Sequence, residues 1–251
     1  MKIDNLNGNT ISVFGHGGMG VKWYYPMNSM RSLNEVLALG ASGTEMDVQL
    51  TKDNVLVLYH DYNLEDGTHC GGKISDSNWD DINKCSYKTP LQPDADLISA
   101  EDFFAQRSDL KDRNFVFDTK VNVWDEKESQ QRFADALYTL IHKYRLEKNC
   151  FIESYSISFL LLMREKNSSL KLFIHANTYA DCLEASKEVS LYGITMDRLN
   201  ISAKEIQDAH RNNLRVALFN LENEEENLEG IKMSPDFMQT DRCEFLLNAL
   251  K

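Results

Sequence analysis

The sequence predicts an α/β fold, a (β/α)8 barrel, on two observations. Short strand-like apolar runs alternate with helix-like segments from one end of the chain to the other, with no Pro/Ser-rich linker between them. The runs come to eight, and 251 residues is a length at which an α/β barrel is built as one unit. A single domain over residues 1–251 is therefore expected, rather than an open doubly wound sheet.

The strand candidates are ISVFGH near residue 11, TEMDVQL near 44, VLVLYH near 55, NFVFDTK near 114, CFIESY near 150, LKLFIHA near 170, YGITMD near 192, RVALFN near 215 and DFMQTD near 236. Taking 44 to 60 as one long strand, or as a strand with a hairpin extension, gives the count of eight. Helices are expected between them: SMRSLNEVLALG, SAEDFFAQ, ESQQRFADALYTLIHKY, SISFLLLMREKN, TYADCLEASKEVS, SAKEIQDAHRNN, NEEENLEGIK and the final RCEFLLNALK. Several open with Ser, Thr or Asn suited to an N-cap, and Ser99 with Asp102 and Ser202 with Glu205 have capping-box spacing. The acidic run at 222 to 226 opens a helix, where carboxylates complement the dipole. One stretch breaks the rhythm: residues 61 to about 98, rich in Asp, Gly, Asn and Pro. It follows a strand end and is expected as an insertion covering the barrel mouth.

With 42% apolar and 26% charged residues the chain can bury a sizeable core. Its 27 basic and 39 acidic side chains give a net charge of −12, which argues against a face that tracks a nucleic-acid backbone or an anionic membrane. No apolar run approaches the ~18 residues of a membrane span, and MKIDNLNGNT lacks the apolar core of a signal peptide. A soluble, cytoplasmic chain without stable membrane insertion is expected, or a periplasmic one if an export signal has been removed. The five cysteines (Cys70, Cys85, Cys150, Cys182, Cys243) are odd in number and scattered, with no C-x-x-C pair. They are expected to be reduced and mostly buried, with a Cys70–Cys85 pair across one loop as the alternative.

The cluster from Gly15 to Gly20 satisfies G-x-G-x-x-G after a strand, but VKWYYPMNS behind it reads as loop. A dinucleotide-binding turn opens directly into a helix. The better reading is a loop that brings backbone amides near an anion, with His16 at the strand end pointing into the mouth. Glu45 and Asp47 are two apart on a strand and share a face. Interior carboxylates cost much desolvation unless a cation or strong donors meet them, and hard oxygen ligands suit Ca²⁺ or Mg²⁺. Asp118 and Lys120 repeat the spacing on another strand, and His60 ends its strand as His16 does. Two histidines with a divalent cation suit phosphodiester hydrolysis: one takes a proton from the nucleophile, the other protonates the leaving alkoxide.

HGGMG, ALGASGTEMDVQLTKDNVLVLYHD, FVFDTK and FMQTDR together resemble the glycerophosphodiester phosphodiesterase family over nearly the whole chain. The resemblance implies a TIM barrel with a small inserted region after the second strand, acting on a small glycerophosphodiester to release an alcohol and glycerol 3-phosphate. It implies His16 and His60 as the acid/base pair, Glu45, Asp47 and Asp118 as holders of one divalent cation, Ca²⁺ or Mg²⁺, and Lys120 on the phosphate side. The chain departs from the family pattern in four places. Gly17 stands where an Arg is usual, and Pro26-Met27-Asn28-Ser29 stands where P-E-N-T is usual. Phe219 replaces a Trp, and Asp118 replaces a Glu. Candidates to supply the lost substrate contacts are the Gly17 amide, Glu153, Lys22 and Trp23, with Phe219 as the late-strand aromatic.

Two other readings stay open at this point. An Asp followed two on by Lys is also similar to the venom-type sphingomyelinase D branch, so a phospholipase D-like enzyme acting on lysophospholipids is one. Its lipid-facing rim would be Trp23, Tyr24, Tyr25 and Trp79. The other is a non-catalytic barrel binding a phosphorylated polyol, suggested by the missing Arg and Glu and opposed by the retained histidines and carboxylates.

Overall fold

The structure, a computed structural model, describes residues 3–20, 25–89, 95–121 and 125–251. Eight parallel strands close into the expected barrel, and a short antiparallel extension leaves its rim. In chain order they are β1 (Ser12–Gly15), β2 (Gly43–Leu50), the extension strands β3 (Leu56–Leu58) and β4 (Ile98–Ser99), then β5 (Asn114–Thr119), β6 (Cys150–Ser154), β7 (Lys171–His175), β8 (Gly193–Asp197), β9 (Arg215–Phe219) and β10 (Phe237–Thr240). Pairing of β1 with both β10 and β2 closes the ring. β3 runs antiparallel to β2, so the hairpin-extension reading of 44 to 60 is the one observed.

The eight expected helices form around the barrel: α1 (Met30–Ala38), α4 (Ala100–Ala105), α5 (Lys127–Tyr144), α6 (Ile157–Lys166), α7 (Tyr179–Glu188), α8 (Ala203–Arg211), α9 (Glu224–Lys232) and α10 (Cys243–Ala249). Two single-turn helices, α2 (Leu64–Gly67) and α3 (Trp79–Ile82), lie in the insertion. Both anticipated capping boxes are present, and Asn223 with Glu226 forms a third.

Strand alternation sorts side chains between two cores, and this sorting builds the site. One set of residues, including Val13, Met46, Phe117, Ile152, Ile174, Leu218 and Met238, faces outward and packs beneath the helices. The alternate set faces the barrel axis, where Phe14, Val116, Phe151, Phe173, Ala217 and Phe237 form a separate buried cluster. Its rings meet edge-on or tilted, as between Phe151 and Phe237 at 5.2 Å, the arrangement their quadrupoles favour. Two residues farther along each strand, on the same inward face, stand His16, Asp118, Glu153, His175, Phe219 and Gln239. An apolar plug thus supports a polar layer at the carboxyl ends of the strands, where barrels of this class carry their chemistry.

The segment between β3 and β4 forms, with Val57 of β3, a small core of its own from Tyr59, Leu64, Ile74, Ile82, Cys85, Tyr87 and Leu97. Cys70 and Cys85 are joined in a disulfide within it, while Cys150, Cys182 and Cys243 are buried thiols. The expectation of five reduced cysteines is thereby corrected. So few apolar residues make a marginal core, and a covalent link is the usual supplement. Trp79 of this segment lines a groove with Asn54, Leu56 and Arg132, separate from the cavity that holds His16 and His60. Tyr25 is half-buried under the Arg31 guanidinium, and Trp23 and Tyr24 fall outside the described residues, so the anticipated lipid-facing rim is not assembled from the residues described.

Removing the disulfide, with a sequence separation of 15 residues, should release a constraint worth about 3 kcal/mol. The expected result for the Cys70→Ser, Cys85→Ser double variant is faster protease cleavage within 61–98, the barrel helices staying protected. A cleavage pattern identical to wild type would contradict this.

Candidate active site

Strand register places three acids side by side. Asp47 on β2 pairs with Asp118 on β5, and Asp118 pairs with Glu153 on β6. Glu45 lies one inward step below Asp47 on β2. These four, with His16, His60, Lys120, His175, Phe219 and Gln239, line a cavity of about 400 Å³ at the mouth. The start of the insertion contributes Asp61, Tyr62, Asn63 and Asp66 to the same wall.

Glu45, Asp47 and Asp118 each offer an oxygen within 4.8 Å of the others, a spacing that can hold one metal ion. Burial and the Asp47 charge push Glu45 well above the usual carboxylate range. Asp47 is also buried, which would raise it, but Lys120, His60 and Asn28 together hold it down to about 2. Donors cover part of the cluster: the Gly17 amide donates to Glu45 Oε2 and Asn28 Nδ2 to Asp47 Oδ2, each at 2.7 Å. Lys120 Nζ lies 2.7 Å from both Asp47 Oδ1 and Asp118 Oδ2. Glu45 Oε1 and Asp118 Oδ1 remain buried without a partner. An unpaired buried carboxyl oxygen is costly, and a hard cation is the group that would satisfy both. The residues present therefore fit a divalent ion.

The two histidines flank this cluster in different surroundings. His16 Nδ1 bonds Asp241 Oδ1 at 2.8 Å. Burial would lower its pKa, but that bond and the charges of Glu45, Asp241 and Asp47 raise it to about 9. His60 is exposed, with Nδ1 2.8 Å from Asp61 Oδ1. Its loop is fixed by Gln49 Nε2, which donates to the carbonyls of Tyr59 and Asp61. In each histidine a carboxylate engages Nδ1 and so orients the ring, leaving Nε2 as the nitrogen available for proton transfer.

The opposite wall is only partly anticipated by the sequence. Glu153 accepts from Gln239 Nε2 at 2.8 Å, and burial with the nearby Asp118 charge raises it to about 7. His175, which sequence reasoning passes over, bonds the Tyr155 hydroxyl through Nε2 and packs against Phe219. Burial drops its pKa to about 4, so it is neutral at ordinary pH. A signal for His175 and Gln239 does exist: each follows a buried phenylalanine by two residues at a strand end. Asp241 lies inside FMQTDR, yet nothing in the sequence pairs it with His16.

Gly17 departs from expectation. Its amide is committed to Glu45 rather than offered to an anion, and its φ of +53° with Met27 2.7 Å from a would-be Cβ explains the glycine on backbone grounds. Gly20 is required in the same way, its would-be Cβ falling 2.4 Å from Asp241. Asn28, from the altered P-E-N-T position, is the residue that clamps Asp47, through both Nδ2 and Oδ1. Lys22 and Trp23 fall outside the described residues.

Residues 19–245 match the glycerophosphoryl diester phosphodiesterase family. A glycerophosphodiester phosphodiesterase of Caldanaerobacter subterraneus subsp. tengcongensis is 22% identical over 235 residues, covering 90% of this chain and 93% of that protein. Among solved structures, a glycerophosphodiester phosphodiesterase from Parabacteroides distasonis superposes with a TM-score of 0.83 at 21% identity, covering 96% and 97% of the two chains. An Oleispira antarctica phosphodiesterase, solved with the product sn-glycerol-3-phosphate, gives 0.85 at 15% identity, covering 96% of each.

Two of the shifts above make the metal-free protein lose stability as pH rises. His16 titrates at about 9 instead of 6.5, so its stabilisation is complete below pH 6.5 and is lost as pH rises through 9. Glu153 titrates at about 7 instead of 4.5, so the cost of ionising it in the fold grows as pH climbs between those values. Each should appear in urea unfolding in chelator as a stage of declining stability, the lower one set against the gain that His175, depressed to about 4, contributes as pH rises toward 6.5. Asp241→Asn should shrink the upper stage, which is worth up to about 3 kcal/mol, and Glu153→Gln the lower one. Profiles for Asp241→Asn and Glu153→Gln that run parallel to wild type from pH 5 to 9 would contradict both environments.

Proposed function

The chain belongs to the glycerophosphoryl diester phosphodiesterase family, and we propose that it hydrolyses a glycerophosphodiester to an alcohol and glycerol 3-phosphate using one divalent cation and two histidines. The observation that carries this reading is the pair of unpartnered buried oxygens, Glu45 Oε1 and Asp118 Oδ1, in a cavity also lined by His16 and His60.

Glu45, Asp47 and Asp118 would hold the ion, Ca²⁺ or Mg²⁺. When bound it draws charge from the non-bridging oxygens of the phosphate. His16 and His60 divide the remaining work, one removing a proton from the nucleophile and the other protonating the leaving alkoxide. Lys120 supplies a cationic side chain to the phosphate. Glu153 and Phe219 contact the organic part of the substrate, one with a hydrogen-bonding carboxyl and the other with an apolar ring. The Cys70–Cys85 disulfide favours an oxidising compartment over the cytoplasm. Among the described residues no helix is long and apolar enough to cross a membrane.

Chelation should abolish hydrolysis of glycerophosphocholine or glycerophosphoethanolamine, and Ca²⁺ or Mg²⁺ should restore it. Full turnover after exhaustive chelation would exclude the metal role. The ion should also raise the melting temperature once its concentration exceeds its dissociation constant, and Asp47→Asn should erase that rise. His16→Ala and His60→Ala should each lose about 10² to 10⁴ in rate. A p-nitrophenyl phosphodiester, whose leaving group needs no protonation, should rescue one of the two variants and not the other. Rescue of both, or of neither, would contradict the division of roles.

A further inference from the structure

Asp47 poses a conflict for the ion it would help to hold. Both of its oxygens are engaged, Oδ1 by Lys120 Nζ and Oδ2 by Asn28 Nδ2, each at 2.7 Å. The oxygens without partners belong to Glu45 and Asp118. Lys120 also lies 2.7 Å from Asp118 Oδ2, so one ammonium sits between two of the three carboxylates. The other donors cannot give way. Asn28 is buried and bonds Asp47 through both ends of its amide, and the Gly17 amide is part of the backbone turn. Lys120 alone among these donors has a flexible four-carbon stem, and it lines the open cavity.

Two cations drawing on the same carboxylates weaken each other's hold, because at this separation in a poorly solvated site their mutual repulsion is large. We propose that Lys120 is the internal counter-ion of the metal-free cluster. A divalent ion displaces its ammonium from Asp47 and Asp118 and turns it toward the phosphate. Metal binding and anion binding are thereby coupled through one side chain, each favouring the other. This rests on the reading that the cluster takes a divalent ion.

The test is calorimetric titration of Ca²⁺ into the metal-stripped full-length protein at one fixed pH, with and without glycerol 3-phosphate, for wild type, Lys120→Met and Lys120→Arg. The expected result is that Lys120→Met binds Ca²⁺ alone at least tenfold more tightly, since the competing charge is gone. The tightening that glycerol 3-phosphate confers on the ion should be smaller in that variant than in wild type. Unchanged or weaker Ca²⁺ binding by a folded Lys120→Met protein would overturn the proposal. Should that variant not fold, Lys120→Arg decides: a guanidinium forking onto the carboxylates should weaken Ca²⁺ binding, and unchanged affinity would overturn the proposal. If wild type binds neither Ca²⁺ nor Mg²⁺, the metal reading falls together with this one. If it binds the ion and Lys120 has no effect, only this one falls.

Discussion

Glu45, Asp47 and Asp118 bring three carboxylates into one small buried volume, with ligand oxygens within 4.8 Å of one another. Like charges held that close in a dry site repel strongly, and burial adds to the cost of each. The residues around them answer that repulsion one oxygen at a time. The Gly17 amide and the Asn28 side chain each neutralise part of a carboxylate, and Lys120 bridges Asp47 and Asp118. His16 is held charged by its bond to Asp241 and by the charges of Glu45, Asp241 and Asp47. What remains is a pair of unsatisfied oxygens, and this remainder is what leaves room for an ion where a finished ion-pair network would leave none.

The fold tolerates such a cluster because it is built on rigid strand ends. The apolar plug fixes the inward faces of β1, β5, β6, β7 and β10, so Asp118 two beyond Val116, and His16, Glu153, His175 and Gln239 two beyond phenylalanines, inherit positions set by close packing. Loops then add further groups around the site. The glycine turn after β1 delivers an amide to Glu45 and makes room for Asp241, and the insertion brings Asp61 to His60. Strands thus carry the charged groups that must be placed accurately, and loops carry the groups that orient them.

Much of this is legible in the sequence. The rhythm of apolar runs indicates the barrel, and spacing of two on a strand puts Glu45 with Asp47 and Asp118 with Lys120. That Asp47 and Asp118 stand opposite each other in register is a long-range fact, since no local pattern says which strands are neighbours or how they are staggered. The same limit hides the His16–Asp241 bond, which joins residues 225 apart, and the clamp of Asn28 on Asp47. His175 escapes for a different reason: a single histidine at a strand end is more often a core residue than a site residue, and only its place two beyond a plug phenylalanine marks it. The cysteines mislead because a scattered, odd set hides one local pair. Gly17 misleads because a glycine needed for backbone geometry looks in sequence like a glycine needed by a ligand.

The central claim is that this acidic cluster is a single-ion site, and diffraction tests it most directly. Crystals soaked in Mn²⁺ should show one anomalous peak bounded by Glu45, Asp47 and Asp118, with His16 and His60 lining the same cavity. A peak elsewhere on the barrel, or no peak from crystals whose dissolved protein is active with Mn²⁺, would contradict the account.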